Sequence, residues 1–483
     1  MERRLNILSF LHKQRHETGE GMKVIKRFGM MVFVFMVLFL LNSTCAVSQT
    51  LVFSGGQNDK WADLFSRFEQ EHLGYTVKMD VQPEDEVWLV EQMLSQSADF
   101  DLYRVSTENR ALQTLSAKRY LLALPDNVDI KTIYNNMLPV MKKTLLNADG
   151  QPSGVPISVY FPYVFKENPE LMAEIGLTED DVPRTLLAMF EFVDQWQDTY
   201  EEQYPNIVPF YIANGDYIGI NSYLSIVMEM YKNASIAVTG ELNYDTPIFR
   251  ELLSRVDAYT VPVTKRVVGN QVFDTPDMQN CLFYCSEDNL STFFTLGTST
   301  WMEPLAIADG YPQLQPFALK CIVVNPFSKH IEAATDLLCD FAQYPLPVLQ
   351  CVLSPDLAQP IERTSFKEKF AYWTQTQAAA LEALQTAQGD AYTEASQQLA
   401  DAQAFFEHLE IEKYKVSPDM LQRYQSKLTP YLFACGQAGY DTTLLADNIK
   451  ALVSQYLDGA LTADELIVKL NRTVTLSVRE DAQ

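Results

Sequence analysis

Five consecutive small and amide residues, Ser54, Gly55, Gly56, Gln57 and Asn58, follow a short apolar stretch and could offer hydrogen-bonding groups to a ligand. Ligands meet open α/β sheets where a strand ends and a helix begins, because the first backbone N–H groups of the helix lack partners. The segment has neither GxGxxG spacing nor a Lys followed by Ser or Thr, which separates it from phosphate-cradling loops. A tight turn into a helix capped by Asn58 explains it equally well. Two carboxylates about 5–10 Å apart could hydrolyse a glycosidic bond. The acidic pairs Asp180-Asp181 and Glu201-Glu202 sit in a loop and a helix and read as solvated surface. Nothing resembles a nucleophile elbow or a His-Glu-x-x-His helix, so the chain is read as a non-enzyme.

Aromatic and polar residues supply the other candidate contacts. Trp88 follows Glu84-Asp85-Glu86 and could stack on the apolar C–H face of a sugar ring or pack in a core. Trp61 lies on an apolar helix face and is assigned to the core. Asp101, beside a strand, could accept hydroxyl hydrogen bonds or act as a capping or solvated carboxylate. Tyr160, Phe161 and Tyr163 fall in an extended aromatic segment, with a cleft role and packing both open. Asn214, Asp216 and Tyr217 form a loop rich in hydrogen-bonding groups, which a simple turn also explains. Trp301 follows Gly297-Thr298-Ser299-Thr300 and is expected in a loop, where an exposed aromatic serves recognition.

Cysteine and histidine chemistry is thin. Six cysteines follow residue 48, too sparse for a disulfide scaffold, and Cys281 and Cys285 lack the two-residue spacing of zinc or redox pairs. Buried free thiols are the preferred reading, a local bridge the second. Only His72, His330 and His408 follow residue 48, none near a cysteine in a ligand pattern, so neither a metal site nor a cofactor is expected.

The elements that must hold these residues are legible from periodicity. Thr50–Phe53 reads as a strand, and Trp61, Leu64, Phe65 and Phe68 recur at the spacing of one helix face. Residues 75–81 alternate as a strand, 87–94 belong to a helix, Phe100–Tyr103 is a strand, and Leu112 with Leu115 marks another helix. Such alternation implies a parallel sheet with right-handed crossovers. An extended crossing follows Gly154, then a helix led by Pro183 through Trp196 and a helix-rich stretch to about residue 300. Leu319–Val324 reads as a strand, Ser328–Phe341 as a helix, and the chain from about 375 onward as almost wholly helical.

At the amino end, the apolar run Phe28–Leu41 follows Lys23, Lys26 and Arg27 and precedes small polar residues, the layout of a secretory signal. Its 14 residues fall short of the roughly 20 that span a bilayer. Met22 is a candidate true start. Cys45 is a candidate lipidation site, with cleavage after Ser48 or Ala46 as the alternative. The first 48 residues hold seven of the 37 basic and three of the 62 acidic groups, so the remainder carries 30 and 59, a net charge of −29. That surface serves solubility and repels phosphate backbones, which argues against nucleic-acid partners.

Taken in order, four segments resemble the family 1 extracellular solute-binding proteins of ABC importers, a class that includes maltose-type sugar receptors. They are the strand–Ser54-Gly55-Gly56-Gln57-Asn58-Asp59–helix start, Ser97–Tyr103 followed by Tyr120–Leu124, Val324–Ala334, and Tyr456–Leu466 ending in Leu470-Asn471-Arg472. The chain departs from the family at Arg184-Thr185-Leu186, where a Thr-Trp pair is common, and over about 205–300. The resemblance implies a two-lobed, periplasmic-binding-protein-like α/β fold with a helical C-terminal region. Lobe 1 would comprise 49–156 plus about 316–345, and lobe 2 157–315 plus about 346–483. It further implies a monomer that captures a solute, a sugar or oligosaccharide first among them, in an interlobe cleft. Ser54, Gly56, Gln57, Asn58, Trp88, Asp101, Tyr160, Tyr163, Asn214, Asp216, Tyr217 and Trp301 are the expected ligand contacts. Membrane permease subunits would be its partners, at the outer face of the cell membrane or in the periplasm. Peptides, polyols and polyamines stay open as ligands, as do sensing or adhesion on the same fold.

Overall fold

The computed structural model describes residues 49–54, 61–80, 86–108, 110–213, 220–258, 266–268, 271–273, 278–294, 299–344, 346–435 and 442–481. Its strands are β1 Gln49–Ser54, β2 Tyr75–Asp80, β3 Leu102–Ser106, β4 Val155–Glu167, β5 Val208–Ala213, β6 Arg266–Val268, β7 Gln271–Phe273, β8 Cys281–Asn289, β9 Thr300–Trp301, β10 Gln315–Val324, β11 Ile361–Glu362, β12 Tyr414–Val416 and β13 Leu432–Ala434. Helices fill most of the intervals. Among the described residues no helix is long and apolar enough to cross a membrane.

Two compact units divide the described chain. The smaller comprises 49–50 and 65–78. Within it the Gln49 N–H donates to Gly74 O at 2.7 Å, the Val77 N–H donates to Glu69 Oε1 at 2.7 Å, and the Phe68 and His72 rings stack 4.2 Å apart. The larger unit holds the rest, and its sheet runs in the order β1-β3-β10-β4-β8-β5, with β13 on β10 and β9 on β4.

The expected all-parallel sheet is not what forms. β1 with β3, and β5 with β8, are parallel, as strand–helix–strand order requires. The centre is antiparallel: β10 enters between β3 and β4 and runs against both, with Lys320 opposite Ser106 on one side and Ser158 on the other. β4 then runs against β8. β10 can occupy this place because nine of its ten residues are buried, so it can be covered on both faces.

Local chemistry sets the helix boundaries. The helix expected from Pro183 begins at Leu186, because the Thr185 hydroxyl accepts from the Ala188 N–H at 3.0 Å and caps it there. Asn168 caps Pro169–Ile175, and Gly176 closes that helix at φ 79°, a left-handed turn that suits glycine. The tail is helical over Phe366–Leu384, Asp390–Glu407, Thr442–Leu457 and Ala463–Asp481, with β12 and β13 as short interruptions. The last of these helices buries Leu466, Ile467, Leu470 and Val474 in a core shared with Trp196, Phe210, Tyr223 and Phe249. Cys281, Cys285, Cys321, Cys351 and Cys435 are buried free thiols, and Cys339 is a half-buried one.

Candidate functional site

The partly exposed positions of the central strands fall on one face. In β4, Ser158, Tyr160 and Pro162 alternate with buried Ile157, Val159 and Phe161, as a period of two demands. Arg104 is the only partly exposed residue of β3, and Lys320 the only one of β10. Register places Lys320 between Ser106 and Ser158, and Tyr160 opposite Ala318, so these residues share a face. A lysine in a strand that is otherwise wholly buried needs a polar neighbourhood to hold its charge.

That neighbourhood is built from four further elements. Past the carboxyl end of β3, the Thr107 N–H donates to Leu319 O and its hydroxyl accepts from the Leu319 N–H, both at 2.8 Å. This double bond to β10 holds the chain where it turns, and the Glu108 N–H donates to Ser106 Oγ at 3.2 Å. Tyr160 donates its hydroxyl proton to Glu287 Oε2 at 3.0 Å, from β4 to β8. On the helix Ile220–Thr239, Lys232 Nζ lies 2.6 Å from Glu229 Oε2, and the Asn233 amide donates to Glu229 Oε1 at 3.2 Å. Cys435, just after β13, donates its N–H to Phe317 O on β10.

The titration behaviour shows that these groups act on one another. Burial, and next the charge of Glu229, lifts the Glu108 carboxyl above its ordinary value; Lys232 and Lys320 oppose that shift and Glu287 adds to it. Burial, Glu287 and Glu108 push the Tyr160 hydroxyl up. Burial works against the Lys232 ammonium, yet the charge and hydrogen bond of Glu229 carry it above the usual lysine value. Burial, then Glu108 and Glu229, raise the Cys435 thiol. A cavity of about 450 Å³ reaches Thr107 and Cys435 and is lined also by Gln113, Ser116, Lys143 and Thr144. Such a mixture of carboxylates, ammonium groups, a phenol, amides and hydroxyls can give and take hydrogen bonds at closely spaced points, as a polyhydroxylated solute requires. A larger cavity of about 630 Å³, walled by Ile133, Phe341, Leu349, Leu353 and Ile361, is mainly apolar and lies among other elements.

Of the expected contacts, Tyr160 stands in this cluster. Tyr163, 1% exposed, turns into the core. Ser54 ends β1 opposite Tyr103 and is buried. Trp88 is half-buried and packs edge-on to Phe100 at 5.1 Å. Trp61 is buried between Phe53 and Phe341, as expected. Gly56, Gln57, Asn58, Asn214, Asp216, Tyr217 and Cys45 lie outside the described residues.

Two expectations need correction. Asp101 is a buried internal brace, accepting from the Val52 N–H at 2.7 Å and from the Ser328 hydroxyl. Trp301 is not in an exposed loop: it forms β9 against Lys166 on β4, is 0% exposed, and stacks on Phe293 at 4.7 Å. The flanking Ser and Thr suggested exposure, but Ser299 and Thr300 are buried with it.

Sequence reasoning passed over Glu108, Glu229, Lys232, Glu287 and Lys320. A signal existed for Lys320, a single charge in the run Phe317–Val324, and for the alternation around Tyr160. None existed for Glu229 or Lys232, which are ordinary helix residues until the fold sets them beside Glu108.

No family model and no curated protein sequence matches the chain. Solved structures do. The binding protein MsmE of Bacillus subtilis, in an open conformation, matches with TM-score 0.54 and 13% identity over 90% of this chain and 99% of that one. A Caldanaerobius polysaccharolyticus structure from work on xylan utilization matches with TM-score 0.51 and 13% identity over 88% of this chain and 99% of that one. An ABC transporter solute-binding protein of Agrobacterium radiobacter, in complex with ribitol, matches with TM-score 0.50 and 14% identity over 89% of this chain and 98% of that one. The chain therefore has the α/β fold of the two-lobed, periplasmic-binding-protein-like class.

Proposed function

We propose that the chain is the exported solute-binding component of an ABC importer, capturing a sugar or oligosaccharide and passing it to membrane permease subunits. The observation that carries this is the mixed donor and acceptor cluster of Glu108, Tyr160, Glu229, Lys232, Glu287 and Lys320, set on a fold shared with solved solute-binding proteins. A binding role needs no chemistry on the ligand, only contacts that favour the loaded form over the empty one. Lobes of 49–156 with 316–345, and of 157–315 with 346–483, follow from the same reading. So do export under the signal at Phe28–Leu41, retention through Cys45 or by the envelope, and action as a monomer. Ser54, Gly56, Gln57, Asn58, Trp88, Asn214, Asp216 and Tyr217 remain proposed outer contacts.

A thermal-shift and calorimetric panel of neutral mono- and oligosaccharides tests the reading, with chromatography of the same mixtures. Saturable binding with the saccharide recovered intact is expected. Cleaved products, or no binding by any saccharide, would overturn it.

A further inference from the structure

Resting on that receptor reading, we infer that the preferred solute is an aminated sugar, its ammonium group held by Glu108. Three carboxylates, of Glu108, Glu229 and Glu287, share the cluster with two ammonium groups, of Lys232 and Lys320. Lys232 is committed to Glu229 at 2.6 Å, and the other Glu229 oxygen takes the Asn233 amide at 3.2 Å. Glu287 accepts the Tyr160 hydroxyl proton at 3.0 Å. The cluster thus holds one negative charge in excess, in surroundings where partial burial strengthens every charge–charge contact. Arg104 shares the sheet face but stands at the register of Ile322, up to roughly 13 Å along the strand from Glu108. The lift in the Glu108 carboxyl and in the Tyr160 hydroxyl points the same way: the lysines leave negative potential uncancelled. A ligand ammonium cancels it, a neutral sugar leaves it, and a uronate adds a further negative charge. Ser106, Ser158 and Thr107 beside the cluster, with Gln113 and Thr144 in the adjoining cavity, supply partners for ring hydroxyls.

The test is titration calorimetry at about pH 6.5, below the ordinary pKa of such amines. Glucosamine, galactosamine and their 1,4-linked disaccharides are each compared with the N-acetylated twin, with glucuronic acid and spermidine alongside. At least one aminated sugar should bind about tenfold or more tighter than its twin, a difference of about 1.4 kcal/mol. That preference should vanish in Glu108→Gln while the twin's affinity is kept. Equal or tighter binding of every N-acetylated twin overturns the inference and leaves the receptor reading standing. Binding of spermidine but of no saccharide overturns the sugar reading and this inference with it, as does binding of nothing.

Discussion

Tyr160 and Glu287 meet diagonally across β4 and β8, the phenol donating to Glu287 Oε2 at 3.0 Å although 127 residues separate them in sequence. Asn289 is the direct register partner of Tyr160, so Glu287 is its diagonal neighbour on the same face. Removing the phenol oxygen deletes a donor to a charged acceptor, worth about 1.5–3 kcal/mol. Tyr160→Phe should therefore weaken the tightest-binding saccharide of the panel by roughly tenfold or more. Calorimetry decides it, and an unchanged affinity would take Tyr160 out of the site.

Glu108 gives the stability curve a pH dependence of defined sign. Burial and Glu229 raise its folded pKa above the ordinary 4.5, so the folded chain binds that proton more tightly than the unfolded one. Its contribution is whole below 4.5 and drains away as pH climbs through the raised value. Glu108→Gln lacks this loss, so the variant should gain in melting temperature relative to the parent between acid and neutral pH. Parallel melting curves for the two proteins would show the gap opening with pH; a constant gap would contradict the shift.

The Lys166–Asp288 pair, 2.7 Å apart with both side chains 4% exposed, links β4 to β8 inside the protein. Lys166→Met strands the carboxylate and should cost about 3–5 kcal/mol in urea unfolding. The double variant Lys166→Met, Asp288→Leu should recover most of that loss, since replacing both ions removes the uncompensated charge. A double variant no more stable than the single one would show that the pair does more than balance charge.

Asp101 separates brace from ligand contact. Asp101→Ala leaves the Val52 N–H and the Ser328 hydroxyl without their acceptor, costing about 1–3 kcal/mol for each buried group stranded. Denaturant melts should record that loss while saccharide affinity stays within about twofold of the parent, less than 0.5 kcal/mol.

The elements made of contiguous residues were legible. Periodicity alone places β1, the helix Ala62–Glu71, β2, β3 and the helix Ile331–Gln343 close to where they form. Partnership at long range was not. β10 lies between β3 and β4 because its apolar residues suit a strand covered on both faces, yet nothing in Gln315–Val324 says which strands will flank it. β8 was passed over because its last four residues, Ser286-Glu287-Asp288-Asn289, read as a turn. The site shares that limit: Tyr160 carries its own signal, whereas Glu229 and Lys320 become partners only once the helix Ile220–Thr239 and β10 arrive at one face.

The position of β10 also sets an order of events during synthesis. β3 and β4 flank a vacancy until Gln315–Val324 has been made, some 150 residues after β4 is complete. A chain emerging amino end first therefore cannot seal its central sheet early, and closing so distant a pairing is slow. It stays open long enough to be threaded through a narrow channel, and it locks only on the far side.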